Sequence, residues 1–270
     1  DQDPSISVVR TARDDNDLEE LDISEPEPIE FQSDGVSVFA WFYKPKLPPV
    51  LLLGHGGPTS EAVNTLDLKK QFFTSRGFAV LDVNYRGSTG FGTDFRNMLK
   101  RQWGVVDRDD MIAAARSVIA RGLVDKDKVC ILGSSAGGYL VLSVLIHSDI
   151  FKAAVSIYGV ADLVGLAKDT HKFERGYNEV LIAFLHGRED TVVPMSQSVE
   201  MYDKLRTKGV TTALMLFDDE GHGFRGSDAI RRSTEASYVF LCKALGITPS
   251  VSSDIEIVNE KYGEDLEQST

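Results

Sequence analysis

Short apolar runs alternate with longer amphipathic segments along most of the chain. The runs, each four to six residues long, are 50–53, 78–83, 129–132, 153–158, 180–185 and 213–217. Helical periodicity appears between them at about 65–75, 107–121, 139–147, 195–208 and 227–245. Because continuous apolar runs are typical of strands buried on both faces, this alternation predicts an α/β fold, with a mostly parallel, doubly wound sheet and helices on both faces.

The first apolar segments follow a different pattern. Residues 29–31 and 36–42 flank the turn sequence Ser33-Asp34-Gly35, which predicts an N-terminal antiparallel hairpin. The preceding residues, 1–27, are polar and weakly periodic, and we expect a linker there. The predicted organisation is therefore an acidic linker at 1–27, a catalytic domain at 28–248 and an acidic tail at 249–270.

Charge is concentrated at the two ends of the chain. Residues 1–34 hold 12 acids and 2 bases, residues 251–270 hold 6 acids and 1 base, and the rest holds 23 acids and 26 bases. Acidic ends repel a phosphate backbone, and the near-neutral body lacks the basic excess of a nucleic-acid module. We therefore predict that nucleic acid is not a partner.

Cysteine and histidine usage predicts neither a metal site nor a cofactor. The two cysteines, Cys130 and Cys242, fall in apolar segments and are predicted to be buried and unpaired, and the five histidines form no ligand-spaced pair. No window has the roughly 18 apolar residues that a membrane span needs. These features predict no membrane association and favour a reducing, cytoplasmic location.

One glycine-rich turn carries a candidate nucleophile. Residues 133–137 read Gly-Ser-Ser-Ala-Gly, a G-x-S-x-G pattern with Ser135 at its centre, between an apolar strand and an apolar helix. A nucleophile at such a strand-to-helix turn has strained backbone angles and close backbone neighbours, which small flanking residues tolerate. A simple Gly/Ser turn between core elements is the alternative interpretation.

Two further groups follow later strands and decide between these interpretations. Asp190 follows the strand at 180–185, and His222 lies in Glu220-Gly221-His222-Gly223 after the strand at 213–217. The order Ser135, Asp190, His222 is that of the α/β-hydrolase fold, and strand ends are where this architecture collects catalytic groups. We predict Ser135 as nucleophile, His222 as general base and Asp190 as the orienting acid, with Glu189 as a competitor for Asp190.

When a serine attacks a carbonyl group, hydrogen-bond donors must also stabilise the negatively charged oxygen, the oxyanion, that forms. The backbone N–H of Ala136, which directly follows the nucleophile, is one candidate. The other is expected from the loop His55-Gly56-Gly57-Pro58 after the first core strand, and we choose Gly57.

Taken together, the motifs resemble those of the prolyl oligopeptidase family, in particular its acylaminoacyl-peptidase-like branch. They run from about residue 26 to 248 and are HGGP at 55–58, NYRGSTGFG at 84–92, Trp103-Gly104, the turn at 133–139, YGVADL at 158–163, Asp190-x-x-Val193-Pro194 and EGHGF at 220–224. The resemblance implies a serine peptidase acting on short peptides or releasing acylated or free N-terminal residues. It also implies that Phe173 and Val193 line the pocket for the residue before the cut.

The resemblance further implies a partner domain. Family members carry an N-terminal β-propeller, of which residues 1–27 would be at most the connecting segment. The connection from Gly176 to Val180 is also shorter than the family pattern, which has a further helix and loop there.

Two other functions remain compatible with the same residues. A carboxylesterase uses the same triad, and a truncated, inactive domain could act as a binding partner through its acidic ends. The preferred residue before the cut, the choice between exo- and endopeptidase action and the formation of a homo-oligomer stay open.

Overall fold

The computed structural model describes residues 23–44, 48–161 and 180–259. The described residues form one sheet of nine strands. Its strands are β1 (Pro26–Ser33), β2 (Val36–Tyr43), β3 (Val50–Gly54), β4 (Ala79–Asn84), β5 (Val129–Ser134), β6 (Ala153–Ile157), β7 (Leu181–Gly187), β8 (Thr212–Phe217) and β9 (Ile257–Val258).

The strands lie in the order β1-β2-β4-β3-β5-β6-β7-β8-β9. All neighbours from β4 through β3 to β8 pair in parallel, whereas β1, β2 and β9 pair antiparallel with their neighbours. This arrangement confirms the predicted α/β fold and its N-terminal hairpin. The hairpin turns at Asp34 and Gly35, both with positive φ, as a tight turn between twisted strands requires.

Helices cover both faces of the sheet. They are α1 (Leu68–Thr74), α2 (Gly92–Asn97), α3 (Val106–Ala120), α4 (Ala136–His147), α5 (Ser196–Thr207) and α6 (Ser227–Ala244). The apolar residues of α3, α4 and α5 pack in one buried cluster, and those of α1 and α6 pack in the other. Both cysteines are buried and free, as predicted.

Two short elements are absent from the sequence prediction. Helix α2 has six residues, and β9 has two and lies in the segment assigned to the acidic tail. Neither carries an apolar run, so hydropathy gave no signal for them. Strand β9 extends the sheet beside β8 by pairing Val258 with Thr212.

The parallel strands bring their carboxyl ends to one edge of the sheet. The loops after β3, β5, β7 and β8 therefore meet there, and they contain the HGGP loop, Ser135, Asp190 and His222. This edge is where doubly wound sheets place their sites.

Candidate active site

Ser135 occupies the sharp turn between β5 and α4. Its backbone angles are φ 55° and ψ −119°, in a region that L-residues rarely adopt and that costs about 1–3 kcal/mol. Its N–H donates to the carbonyl of Ile157 at 3.0 Å, which ties the turn to the neighbouring strand. The strained backbone points the side chain out of the sheet toward the loops of the other strands.

The glycines on both sides of Ser135 are required by close packing. A Cβ on Gly137 would overlap the backbone carbonyl of Gly54, and a Cβ on Gly133 would overlap the carbonyl of Gly137. Both obstacles are backbone atoms, which cannot move aside as a side chain can. The G-x-S-x-G spacing thus lets α4 start directly against β3 and β5.

Ser135, His222 and Asp190 form one hydrogen-bonded chain. Ser135 Oγ lies 2.9 Å from His222 Nε2, and His222 Nδ1 lies 2.8 Å from Asp190 Oδ2. Because ionised Asp190 can only accept, Nδ1 carries the proton and Nε2 of the neutral ring faces the serine hydroxyl as an acceptor. The sequence also offered Glu189, but the carboxylate beside His222 is that of Asp190.

The side chain of Asp190 is fully buried, with its charge met by several donors. Oδ1 accepts the backbone N–H groups of Val192 at 2.9 Å and Val193 at 2.8 Å. Burial by itself would raise the pKa of Asp190, but the N–H of Val193, His222 and the N–H of Val192 together hold this pKa below its usual value. Asp190 is therefore an anion across the physiological pH range.

His222 lies on a loop that is held by a buried carboxylate. Glu220 accepts the backbone N–H groups of Arg225 and Gly226, each at 2.8 Å, and its own carbonyl accepts the N–H of Glu189 at 3.0 Å. These bonds connect the loop of His222 to the turn of Asp190. The ring of Tyr158 meets His222 edge-on with the ring centroids 5.1 Å apart, and Phe224 packs against Tyr158.

The HGGP loop approaches Ser135 from β3. A Cβ on Gly56 would lie 3.6 Å from the Cβ of Ser135, so this residue is adjacent to the serine. Gly57 follows with φ +125°, a conformation that favours glycine. Tyr85 supports the loop: its ring stacks on His55 with centroids 4.1 Å apart, and its hydroxyl donates to the His55 carbonyl at 2.7 Å.

Of the two predicted pocket residues, the structure describes Val193. Val193 is buried, and its backbone N–H and carbonyl are engaged by Asp190 and His186. Phe173 lies outside the described residues. The assignment of both to the pocket stays a prediction.

The comparison with family models supplies the deciding observation. The model of the prolyl oligopeptidase family matches residues 64–183 and 177–248, which is more than half of the chain. The chain belongs to the prolyl oligopeptidase family.

Curated relatives of the family align with about three quarters of this chain. The dipeptidyl aminopeptidase BIII of Pseudoxanthomonas mexicana is 29% identical over 230 residues, which cover 73% of this chain and 33% of that protein. The acylamino-acid-releasing enzyme of Sus scrofa is 28% identical over 232 residues, covering 73% of this chain and 32% of that protein. The chain thus spans about a third of the length of these relatives.

A solved structure gives the same result. A puromycin-hydrolyzing peptidase of Mycobacterium tuberculosis superposes with a TM-score of 0.78 at 35% identity, covering 87% of this chain and 41% of that one. The resemblance inferred from the sequence motifs is confirmed at the level of the prolyl oligopeptidase family.

Three residues at this site escaped the sequence interpretation. His186 lies beside Asp190, Glu220 holds the loop of His222, and Tyr158 packs on His222 with a positive φ of 38°. Tyr158 and Glu220 begin two of the quoted motifs and His186 lies four residues before Asp190, and these positions were the available signal. Over the described ranges, no group of three or more potential metal ligands occurs, and none of the helices there is long and apolar enough to cross a membrane.

Proposed function

We propose that this chain is a serine peptidase catalytic domain that hydrolyses short peptides or releases acylaminoacyl residues. The observation that carries the proposal is the chain of hydrogen bonds from Ser135 through His222 to Asp190. Such a chain converts an ordinary hydroxyl into a nucleophile.

In the first half of the reaction, Ser135 Oγ attacks the carbonyl carbon while His222 Nε2 takes its proton. The carbonyl π electrons move to oxygen, and a tetrahedral oxyanion forms. Asp190 stabilises the imidazolium without taking its proton. The oxyanion then collapses, the C–N bond breaks, and His222 gives the proton to the leaving amine, which leaves an acyl-enzyme.

In the second half, water replaces the amine. His222 removes a proton from the water, whose oxygen attacks the acyl carbon to form a second tetrahedral intermediate. As this intermediate collapses, the bond between the acyl carbon and Ser135 Oγ breaks, protonated His222 returns the proton to Ser135 Oγ, and the acid is released. The proposed oxyanion donors are the N–H groups of Ala136 and Gly57. Ala136 begins α4, and Gly57 follows the glycine adjacent to Ser135, which supports this assignment.

The substrate class is proposed from the relatives. Those reported above are named as a dipeptidyl aminopeptidase, an acylamino-acid-releasing enzyme and a puromycin-hydrolyzing peptidase. Two of these names describe the release of aminoacyl or acylamino-acid groups, and we extend that class to this chain. Phe173 and Val193 remain the predicted lining of the pocket before the cut, and an upstream propeller remains a predicted partner.

Turnover on paired substrates tests the proposal. We expect the protein to hydrolyse an acyl-alanine anilide and Ser135→Ala to lose this activity with unchanged thermal stability. A strong preference in kcat/KM for a short-chain nitrophenyl ester would instead identify a carboxylesterase. A stably folded wild-type protein that turns over neither substrate would overturn both and favour a binding role.

A further inference from the structure

A second imidazole lies against the carboxylate of Asp190. His186, at the end of β7, has no exposed surface. Its Nε2 lies 2.9 Å from the carbonyl of Val193 and 3.3 Å from Asp190 Oδ2. The triad as described gives this ring no role, although the ring lies against the carboxylate that orients His222.

The contacts of His186 fix which ring nitrogen carries the proton. A carbonyl oxygen can only accept, so Nε2 must be protonated to bond Val193. Nδ1 lies 2.7 Å from Ser198 Oγ and accepts the hydroxyl of that residue. Burial lowers the pKa of His186, which keeps the ring neutral in this tautomer.

The ring therefore acts on both oxygens of Asp190. Its Nε2–H donates to the carbonyl of Val193, the residue whose own N–H donates to Oδ1, and the same nitrogen lies 3.3 Å from Oδ2, the oxygen that bonds His222. Rotation of the carboxylate would break contacts on both sides. Among the residues that the structure describes, the titratable groups that face Asp190 are His186, His222 and Tyr158.

We propose that His186 is a positioning residue of the triad, which holds the Asp190 carboxylate in the orientation that aligns His222 with Ser135. This inference rests on the proposed function for its consequence in catalysis. Because His186 stays neutral and never contacts substrate, its effect is on geometry and on the acceptor strength of Oδ2.

Two amide variants test the contributions of Nε2 and Nδ1 of His186 separately. Measured along the side chain, the Gln amide nitrogen is as far from Cα as Nε2 of histidine, and the Asn amide is as far as Nδ1. His186→Gln keeps a donor for Val193 and Asp190, whereas His186→Asn reaches only toward Ser198. Thr212→Val is a matched control, because it removes a buried hydroxyl bonded to Ile182 on the same strand pair, far from Asp190.

We expect His186→Asn to lose about 10-fold in kcat with little change in KM, the scale of removing one donor from a charged group. The acid limb of its pH–rate profile should move to higher pH, since the polar N–H near Oδ2 is then absent and Oδ2 accepts more strongly from His222. His186→Gln should stay within about 3-fold of the wild type with an unmoved acid limb. Thr212→Val should lose stability and keep both kinetic features.

A readout without turnover separates this inference from the proposed function. The proton on His222 Nδ1 gives a downfield NMR resonance that reports its bond to Asp190. We expect this resonance to move further downfield in His186→Asn and to stay in place in His186→Gln. A shift without any turnover would uphold the positioning role and reject the peptidase. The positioning role would be overturned if the His222 Nδ1 proton resonated at the same position in the wild type and both amide variants. It would also be overturned if the kinetic losses of both amide variants simply followed their losses of thermal stability.

Discussion

The turn of Ser135 and the turn of Asp190 are held in place by different means. Ser135 is fixed by its sequence neighbours, because glycines allow β5, α4 and β3 to pack backbone against backbone. Asp190 is fixed by polar groups, namely the N–H groups of its own turn, His186 at the end of β7 and His222 after β8. The Ser135 turn therefore needs residues without a Cβ at its closest contacts, whereas the Asp190 turn needs all of its hydrogen-bond donors.

Among the variants that test this comparison, the one that removes the Asp190 charge should have the largest effect. In Asp190→Asn, the amide no longer fixes the reactive tautomer of His222, so we expect kcat to fall about 10⁴-fold with the fold intact. Glu189→Gln is the matched control, because Glu189 is exposed and its neighbour carries the contact with His222. Equal losses in the two variants, measured by anilide hydrolysis, would contradict the assignment of Asp190.

The Ser135 turn should instead fail through sterics. Gly137→Ala places a Cβ on the Gly54 carbonyl, and we expect the free energy of unfolding to drop by about 3 kcal/mol. Gly122→Ala is the control: its φ is +66° but its surroundings are open, so strain of about 1 kcal/mol is expected. Urea unfolding measures both. Equal costs would mean that the close approach of α4 and β3 is unimportant.

A buried acid, Asp107, makes the stability of the fold depend on pH. Asp107 lies in the first turn of α3 near Tyr85, and its carboxylate makes no full hydrogen bond within the described ranges. Burial raises the pKa of Asp107 from 3.8 to about 6, although the backbone N–H groups of Gly104, Asp107 and Arg108 face it and partly oppose this shift.

Because the unfolded chain ionises first, the stability contributed by protonated Asp107 is present below about pH 4 and is lost as the pH rises to about 6. Asp107→Asn lacks this titration. We expect its free energy of unfolding to gain up to about 3 kcal/mol relative to the wild type between pH 4 and pH 7. If urea unfolding showed the same dependence of the free energy of unfolding on pH in both proteins, the raised pKa of Asp107 would be refuted.

The smallest expected effect concerns the loop that links His222 to Asp190. Glu220→Gln loses the charge that receives two backbone N–H groups, and we expect kcat to fall about 10-fold as His222 loosens. Glu235→Gln breaks an exposed ion pair with Arg231 and should leave kcat unchanged. If both variants keep full activity, Glu220 does not position His222.

The same contrast explains what the sequence could predict. The main strands and helices and the Ser135 turn depend on local apolar runs and on glycines, which are visible along the chain. The order of Ser135, Asp190 and His222 was also visible, because each follows a core strand.

Polar contacts that form only when loops and strand ends fold together had no comparable signal. His186 resembles any other residue at the end of a strand until the fold brings Ser198 and Val193 to its two nitrogens. Glu220 resembles a solvated loop acid until its carboxylate is seen to bond the N–H groups of Arg225 and Gly226. Strand β9 has only two residues, and its pairing with β8 depends on tertiary contact.

Covalent labelling tests the central claim, that Ser135 is an activated nucleophile, most directly. The wild-type protein is treated with a fluorophosphonate, and the adduct is mapped by peptide mass spectrometry. We predict one adduct, on Ser135, which disappears in Ser135→Ala and forms much more slowly in Asp190→Asn. A folded wild-type protein without an adduct, or one labelled at another serine, would contradict the account.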